Sequence, residues 1–166
     1  ALLLCFACGD GTLQQEPVRR SGQADVVSLD DDWRFIRYGL QADGTRVEEP
    51  AGMFETGVDD SGWEKLDVPH DFAITGPFRM DLSGNTGRLP YQGIGWYRKT
   101  FTVDKADQGK RFYVDFDGVM AYAKVWLNGE YVGTWPYGYN SFRLDLTPFI
   151  KVGEPNVLAV RTDTEK

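Results

Sequence analysis

Cysteine and histidine are scarce in this sequence, and their scarcity excludes several kinds of site. The 166 residues include two cysteines, Cys5 and Cys8, and one histidine, His70. Because both cysteines lie near the start, the rest of the chain can form neither a disulfide framework nor a cysteine-based metal site. One histidine cannot provide a histidine-rich zinc site. We therefore predict no metal site in this chain.

Basic residues are also fewer than acidic residues. The chain has 18 Lys and Arg against 25 Asp and Glu, which gives a formal net charge of −7. Nucleic acids and anionic lipid surfaces are bound by clusters of Lys and Arg. The charge therefore argues against both as partners, and it leaves neutral sugars and uncharged partners open.

No stretch of the chain is long and apolar enough to span a bilayer. The apolar start, ALLLCFACGD, predicts that residues 1–8 are the end of a signal peptide. An apolar run, a small residue, a cysteine and then Gly-Asp resembles the lipoprotein signal of Gram-negative bacteria, in which Cys8 would be lipidated. The alternative is an ordinary secretory signal. We expect an exported protein, periplasmic or anchored in the outer membrane, with membrane contact only through the lipid.

Residues 9–25 are polar without an apolar period, which predicts a flexible tether, and the domain is predicted over residues 26–166. Aromatic residues make up 14% of the chain, with 19 Gly and 8 Pro. Short alternating stretches separated by turn residues favour an all-β sandwich of jelly-roll type, with two antiparallel sheets. The predicted strands are residues 33–38, 66–68, 94–103, 111–116, 121–127, 130–135, 142–146 and 156–162.

The clearest local signal is a hairpin. Residues 123–133 read AKVWLNGEYVG, so two strand-forming runs meet at Asn128-Gly129. Asn-Gly supplies the two positive φ angles of a type I′ turn. We predict that this turn fixes the register of two strands.

Two loops are candidates for function. Residues 70–92 form an irregular excursion, and loops of that length in a compact domain are often functional. Residues 135–141 read WPYGYNS, a turn rich in rings and amides. Aromatic faces pack against sugar rings but also fill sandwich cores, so Tyr137 and Tyr139 are assigned to a pocket or to the core with equal weight. We expect Trp126 to pack on the sheet.

Catalytic groups are not evident. No serine lies in a G-x-S-x-G setting, and we interpret His70 as a loop residue bonded to its own backbone. Carboxylates are numerous, but spacing in an all-β chain cannot identify a glycosidase pair. Residues 30–32 are three aspartates, which we assign to the start of a strand, with a calcium site as the alternative.

Three stretches, DVPHDF at 67–72, GIGWYRKTF at 93–101 and VWLNGEYVG at 125–133, resemble the N-terminal sugar-binding domain of glycoside hydrolase family 2. The flanking residues 29–35, 142–146 and 156–160 agree in order. The family includes β-galactosidases, β-glucuronidases and β-mannosidases. The resemblance, to the first domain of a Bacteroides-type β-galactosidase in particular, implies a galactose-binding-like jelly roll.

The resemblance also implies a longer enzyme. In the family, an immunoglobulin-like domain and a TIM barrel follow, and the barrel carries the catalytic glutamates. We therefore expect this chain to be inactive alone, to continue past Lys166, and to contribute to the barrel's active-site rim. The expected substrate is a β-linked oligosaccharide or glycoside. The alternatives are a stand-alone carbohydrate-binding module and a cell-surface interaction module.

In the family's β-galactosidases, an amide in the loop before the strand that contains Trp96 reaches the sugar, and the matching position here is nearest Gln92. No cofactor is predicted for this chain, while calcium or magnesium in the full enzyme is left open. The candidate residues of the substrate rim are Gln92, Tyr91, Asp71, Tyr137, Tyr139 and Asn140.

Overall fold

The computed structural model describes residues 2–7, 25–41, 43–75, 79–81, 84 and 93–165. Short 3₁₀ helices lie at Phe72–Thr75 and Lys105–Asp107. Eleven strands lie in these residues: β1 Leu2–Ala7, β2 Asp25–Ser28, β3 Trp33–Leu40, β4 Arg46–Val47, β5 Glu64–Leu66, β6 Gly93–Thr102, β7 Arg111–Phe116, β8 Ala123–Leu127, β9 Glu130–Trp135, β10 Phe142–Asp145 and β11 Pro155–Asp163.

The strands form two antiparallel sheets. The small sheet has the order β10-β7-β1-β2. The large sheet has the order β4-β3-β6-β11-β8-β9, and β5 pairs with β3. The predicted all-β sandwich of two antiparallel sheets is confirmed. Each of the eight predicted strands is observed to within about three residues at each end, while β1, β2 and β4 were not predicted.

The core lies between the sheets and follows from alternation along the strands. Phe112, Val114 and Phe116 of β7 are 1%, 0% and 4% exposed. They belong to one cluster with inward-facing residues of the large sheet, including Leu127 and Leu158. Burying each such side chain stabilises the fold by about 1.5–3 kcal/mol.

The Asn-Gly hairpin is confirmed. Asn128 and Gly129 have φ angles of 56° and 86°, and Leu127 pairs directly with Glu130 across the turn. The Asn128 side chain adds contacts that the sequence did not predict. Its amide donates to the Phe149 carbonyl at 2.9 Å and to Asn156 Oδ1 at 2.8 Å. Its oxygen accepts from the backbone N–H of Val157 at 3.0 Å, so the turn is bonded to the start of β11.

The outer face of the large sheet is covered by residues 48–63, here called the strap. Its Met53 and Trp63 pack in a second cluster with Trp96 of β6. Arg98 of β6 is 2% exposed beneath the strap. Its guanidinium donates to the carbonyls of Met53 and Glu55 and pairs with the Asp60 carboxylate, each at 3.0 Å.

Several details differ from the sequence predictions. Residues 147–149 form a hydrogen-bonded turn after β10. Residues 2–7 form β1 between β2 and β7; their assignment to a signal peptide stays a prediction. Asp32 lies at the predicted start of a strand, where its N–H donates to Asp67 Oδ1 at 2.9 Å. None of the described helices is long and apolar enough to cross a membrane.

Candidate functional site

Three of the predicted site residues, Tyr137, Tyr139 and Asn140, lie at one end of the sandwich, here called the loop end. At this end β3, β9 and β11 finish and β6 and β8 begin. The Asp163 N–H donates to the Ala121 carbonyl at 2.9 Å, and the Thr164 N–H donates to the Gly93 carbonyl at 2.9 Å. These bonds hold the ends of three neighbouring strands of the large sheet together, so loops that leave from here start at fixed positions.

Gly93 is the point where the long excursion rejoins the sheet. Its φ is +144°, and a Cβ atom there would lie 2.2 Å from the Tyr38 carbonyl oxygen. Its N–H donates to Thr164 Oγ1 at 3.0 Å. No side chain fits between these neighbours, so glycine is required at this position.

A polar network supports the same end from the outer face of the large sheet. Glu49 accepts from Arg161 Nε at 2.7 Å and Nη2 at 2.9 Å, and from Trp96 Nε1 at 2.6 Å. Burial alone would raise the pKa of Glu49, but the hydrogen bonds from Arg161 and Trp96 outweigh it and lower the pKa below its ordinary value. Arg46 donates to both carboxylate oxygens of Glu165, at 2.9 and 2.6 Å.

Two loops pack against each other at the loop end: residues 117–122, between β7 and β8, and residues 136–141, between β9 and β10. The Tyr122 N–H donates to the Pro136 carbonyl at 3.4 Å. A Cβ on Gly138 would lie 3.1 Å from Met120 Cγ, so glycine permits this close approach. The two loops therefore form one surface.

That surface exposes apolar and aromatic side chains. Tyr137 is 63% exposed and Tyr139 is 85% exposed, so neither belongs to the core, and Asn140 beside them is also exposed. The 117–122 loop adds exposed Met120 and Tyr122. Clustered exposed rings of this kind mark interaction surfaces more often than scattered ones do.

Trp135 lies directly behind this surface. Its ring stacks on Phe142 at a centroid distance of 5.4 Å and meets Tyr137 edge-on at 5.9 Å. Its buried Nε1–H has no acceptor among the described residues. An unpaired buried donor costs about 1–3 kcal/mol, so an acceptor from outside these residues would stabilise this corner.

The excursion begins with residues 71–75, here called the plug, which pack against Phe35 of β3. Phe72 is buried and its ring stacks on Phe35 at 5.7 Å. Asp71 is exposed, but its carboxylate accepts from the Ala73 N–H at 2.8 Å and so caps the 3₁₀ helix. The structure therefore gives Asp71 a local structural contact.

His70 lies in a loop, as interpreted, but its described partner is a side chain of another strand and not its own backbone. Its Nδ1 lies 3.0 Å from the Tyr97 hydroxyl, and its ring packs edge-on against Phe35 at 4.8 Å. Burial lowers the pKa of His70 below its ordinary value. The residue is a packing element between β5 and the plug, because the fold brings Tyr97 next to it from 27 positions away.

Trp126 packs as predicted, on the outer face of the large sheet, where it stacks on Phe54 at 5.3 Å. Tyr91, Gln92 and Cys8 lie outside the described residues. Their assigned roles in the sugar rim and in lipidation stay predictions.

The described carboxylates of the loop end are engaged in structural contacts. Glu49 and Glu165 are paired with arginines, and Asp163 accepts from Arg161 at 3.2 Å and from the Glu165 N–H at 3.0 Å. Within the described ranges, no group of three His, Cys, Asp or Glu side chains could hold a metal ion. What these residues offer is a rigid base with exposed rings and amides, suited to binding rather than to acid–base catalysis.

Comparison with known proteins identifies the family. Residues 26–162 match the model described as "Glycosyl hydrolases family 2, sugar binding domain". The chain belongs to glycoside hydrolase family 2. A family 2 relative, a β-galactosidase of Bacteroides ovatus, is 50% identical over 134 residues, which cover 80% of this chain. A β-glucuronidase of Formosa agariphila is 30% identical over 151 residues.

Solved family 2 structures share the fold. A β-glycosidase from Bacteroides vulgatus superimposes with a TM-score of 0.72 at 34% identity, covering 84% of this chain and 17% of that one. The present chain spans 14% of the length of the Bacteroides ovatus relative and 14% of the Formosa agariphila relative. It therefore corresponds to a small part of these family 2 proteins.

Proposed function

We propose that this chain is the non-catalytic first domain of a retaining exo-β-glycosidase, most specifically a β-galactosidase. The observation that carries the proposal is the match over residues 26–162 to a sugar-binding domain, combined with 50% identity to a β-galactosidase of which the chain spans 14%. The partners within the same polypeptide are an immunoglobulin-like domain and a TIM barrel, and the barrel holds the catalytic glutamates.

The proposed contribution of the domain is a rigid rim for the sugar pocket. Tyr137, Tyr139 and Asn140 are exposed on loops whose bases are fixed by the strand ends. Ring faces contact the C–H faces of sugars, and amides bond to hydroxyls. Contacts that strengthen in the transition state raise kcat as well as affinity.

We favour a galactoside over a glucuronide as the substrate because of the charged residues at the loop end. A glucuronidase must hold the substrate carboxylate with a cation. Two arginines described at the loop end, Arg46 and Arg161, are each bonded to a carboxylate, Glu165 and Glu49 respectively. A third, Arg37, donates to Gln41 Oε1 at 2.7 Å, so the cation of a glucuronidase is expected from another part of the polypeptide. β-Glucuronidase is the second candidate, since relatives of both names match the chain.

Hydrolysis of a panel of aryl β-glycosides tests the proposal. The 166-residue chain is compared with the full product of its gene on β-galactoside, β-glucuronide and β-mannoside. We expect the full product to cleave the galactoside and the 166-residue chain to cleave none. Activity in the short chain would overturn the non-catalytic assignment, and preference for the glucuronide would replace the galactosidase assignment.

A stand-alone carbohydrate-binding role is the second candidate, and the exposure of Tyr137 and Tyr139 favours it. It predicts sugar affinity in the isolated chain, roughly −4 to −8 kcal/mol for millimolar to micromolar dissociation constants. Titration with galactose and β-galactosides tests it, with the Tyr139→Ala variant as the control for specific stacking. A full gene product that lacks hydrolytic activity while the short chain binds sugar would favour this role.

Export as a lipoprotein is proposed on the sequence ALLLCFACGD, with Cys8 as the lipidated residue. Metabolic labelling with a radioactive fatty acid in a Gram-negative host tests it. We expect label in the protein and none in the Cys8→Ala variant, while Cys5→Ala retains the label as the matched control. Equal labelling of both variants would contradict the assignment.

A further inference from the structure

The last residues of β11 join two neighbouring elements at the loop end. Successive residues of a strand direct their N–H groups to opposite sides. The Asp163 N–H therefore donates to the Ala121 carbonyl, just before β8, while the Thr164 N–H donates to the carbonyl of Gly93, the first residue of β6, each at 2.9 Å. Residues 163–164, here called the junction, thus connect the start of β6 with the loop that precedes β8.

The Thr164 side chain reinforces the β6 side of the junction. Its Oγ1 accepts from the Gly93 N–H at 3.0 Å and donates to the Gly93 carbonyl at 3.2 Å. Together with the Thr164 N–H, three hydrogen bonds join these two residues. Gly93 lies directly against the Tyr38 carbonyl on its other side. The position of Gly93 therefore depends on the Thr164 hydroxyl as well as on the sheet.

The Asp163 side chain fixes the other half of the junction. It is 4% exposed, and its carboxylate accepts from Arg161 Nη1 at 3.2 Å and from the Glu165 N–H at 3.0 Å. Arg161 is in turn bonded to Glu49 of the strap, at 2.7 and 2.9 Å. The junction is thus held by its own strand and by the strap, independently of the loops that it supports.

The exposed rings of the loop end depend on the backbone from which they leave. Tyr137 and Tyr139 are 63% and 85% exposed, so neighbouring side chains restrain them little. Their loop packs on the 117–122 loop, and Ala121 of that loop is bonded to the junction. A displacement of the junction therefore reaches both rings through two steps of direct contact.

We propose that Thr164 is a positioning residue for the rim of the sugar pocket. Its hydroxyl holds the junction against Gly93, and the junction holds the backbone of the loops that carry the rim residues. The inference rests on the proposed function of this chain as the first domain of a β-glycosidase. A misplacement of about 1 Å can cost roughly a hundredfold in rate, so Thr164 affects catalysis without contacting the substrate.

The opposite end of the sandwich provides a matched control. There Thr147 Oγ1 accepts from the Phe112 N–H at 2.9 Å and donates to the Phe112 carbonyl at 3.3 Å. The Phe112 carbonyl also accepts from a backbone N–H, that of Leu146, at 2.8 Å. Thr147 and Thr164 thus make the same kind of contact, but Thr147 lies at the start of β7, away from the rim loops. Loss of either hydroxyl removes the acceptor of one backbone N–H, so both losses should lower the melting temperature alike.

Kinetics of the full gene product test the proposal with an aryl β-galactoside, at a temperature at which every variant is folded. We expect Thr164→Val to lower kcat/KM about tenfold, mostly through kcat, because the rim contacts strengthen in the transition state. Thr164→Ser keeps the hydroxyl and should restore kcat/KM to within about twofold of the wild-type value. Thr147→Val should also stay within about twofold, although its melting temperature falls as far as that of Thr164→Val.

Hydrogen exchange followed by mass spectrometry in the same samples gives a readout that does not require activity. In Thr164→Val, the peptides that contain Gly93 and Tyr122 should exchange at least about tenfold faster than in the wild type. Tyr122 reports on the rim loops because its N–H donates to the Pro136 carbonyl. In Thr147→Val these peptides should be unchanged, and the peptide that contains Phe112 should exchange faster.

Two results would overturn the proposal. Equal changes of kcat/KM in Thr164→Val and Thr147→Val would show that the Thr164 hydroxyl has a structural role alone. Unchanged exchange at Tyr122 in Thr164→Val would show that the junction does not hold the rim loops. A wild-type product without glycosidase activity would instead contradict the proposed function, and exchange at Tyr122 would still decide whether Thr164 positions these loops.

Discussion

The two outer faces of the sandwich differ in how far they are covered by other parts of the chain. The large sheet buries its outer face under the strap, with aromatic rings and a buried Arg98. The small sheet leaves its described outer face open. There Tyr113 lies between Arg111 and Arg143, whose guanidinium carbons are 5.2 and 5.5 Å from the ring centroid.

Arginine shows the difference most clearly. On the open face Arg143 is paired with Asp115 at 2.6 Å, but its side chain is 55% exposed and water competes for both partners. Under the strap, Arg98 is 2% exposed and makes three contacts. The same side chain is therefore a weak surface contact on one face and the attachment point of a covering segment on the other.

The largest expected effect is at Arg98. Arg98→Ala removes the cation from Asp60, whose side chain is 31% exposed, and from two carbonyl groups. A buried carbonyl left without a partner costs about 1–3 kcal/mol, so we expect a loss of about 2–4 kcal/mol. Urea unfolding monitored by tryptophan fluorescence measures it. Arg143→Ala on the open face is the control and should cost at most about 1 kcal/mol. Equal losses in the two variants would remove the distinction between the faces.

The next effect concerns the strap itself. Phe54→Ala removes the ring that stacks on Trp126 at 5.3 Å. Because Phe54 is only half-buried, we expect a loss of about 1–2 kcal/mol, below the value for a fully buried phenylalanine. Limited proteolysis provides a second measurement, with faster cleavage within residues 48–63. Unchanged cleavage would show that other contacts suffice to hold the strap.

A smaller effect is expected for the ion pairs of the open face. A double-mutant cycle with Arg143→Ala and Asp115→Ala should give a coupling free energy of roughly 0.2–1 kcal/mol. Salt at about 1 M should remove most of it, because the Debye length falls to about 3 Å. A coupling that persists in high salt would mean that the open face is shielded from water.

The smallest effect is the pH dependence. Hydrogen bonds from Arg161 and Trp96 outweigh burial and lower the pKa of Glu49, and hydrogen bonds from Thr147 and Arg111 likewise outweigh burial and lower the pKa of Asp145. Each contributes stability that is present above its unfolded pKa and is lost as the pH falls through its folded pKa. Thermal unfolding between pH 7 and pH 3 should show a shallower loss in Glu49→Gln and in Asp145→Asn.

High salt should distinguish the contributions of Glu49 and Asp145 to stability. The contribution of Asp145 on the open face should disappear at about 1 M salt, and that of Glu49 beneath neighbouring side chains should remain. Identical salt sensitivity of the two variants would contradict the comparison.

Local sequence patterns were enough to predict eight of the strands. Contacts between residues far apart in the chain could not be predicted from such patterns. Alternation located β7 and β10, and Asn128-Gly129 located the hairpin of β8 and β9, since both signals lie within a few residues. The strap has no period, and its bonds to Arg98 join residues 38 to 45 positions apart. One signal was available: Arg98 lies in the stretch GIGWYRKTF beside aromatic residues. A buried arginine needs polar partners, which here come from the strap.

The loop end was predicted in part for the same reason. Residue type identified Tyr137 and Tyr139 as pocket or core, but only the packing of two loops showed both rings to be exposed. The loop position of His70 was predicted, but its contact with Tyr97 was not, because Tyr97 lies in a strand 27 positions away.

The bonded amide of Asn128 also bears on how the protein ages. In an unfolded chain, an asparagine followed by glycine deamidates readily, because the glycine nitrogen attacks the side-chain amide. Here three hydrogen bonds hold that amide away from Gly129. Deamidation at this position must therefore wait for the hairpin end to open, so the slow accumulation of aspartate and isoaspartate at residue 128 records how often it does.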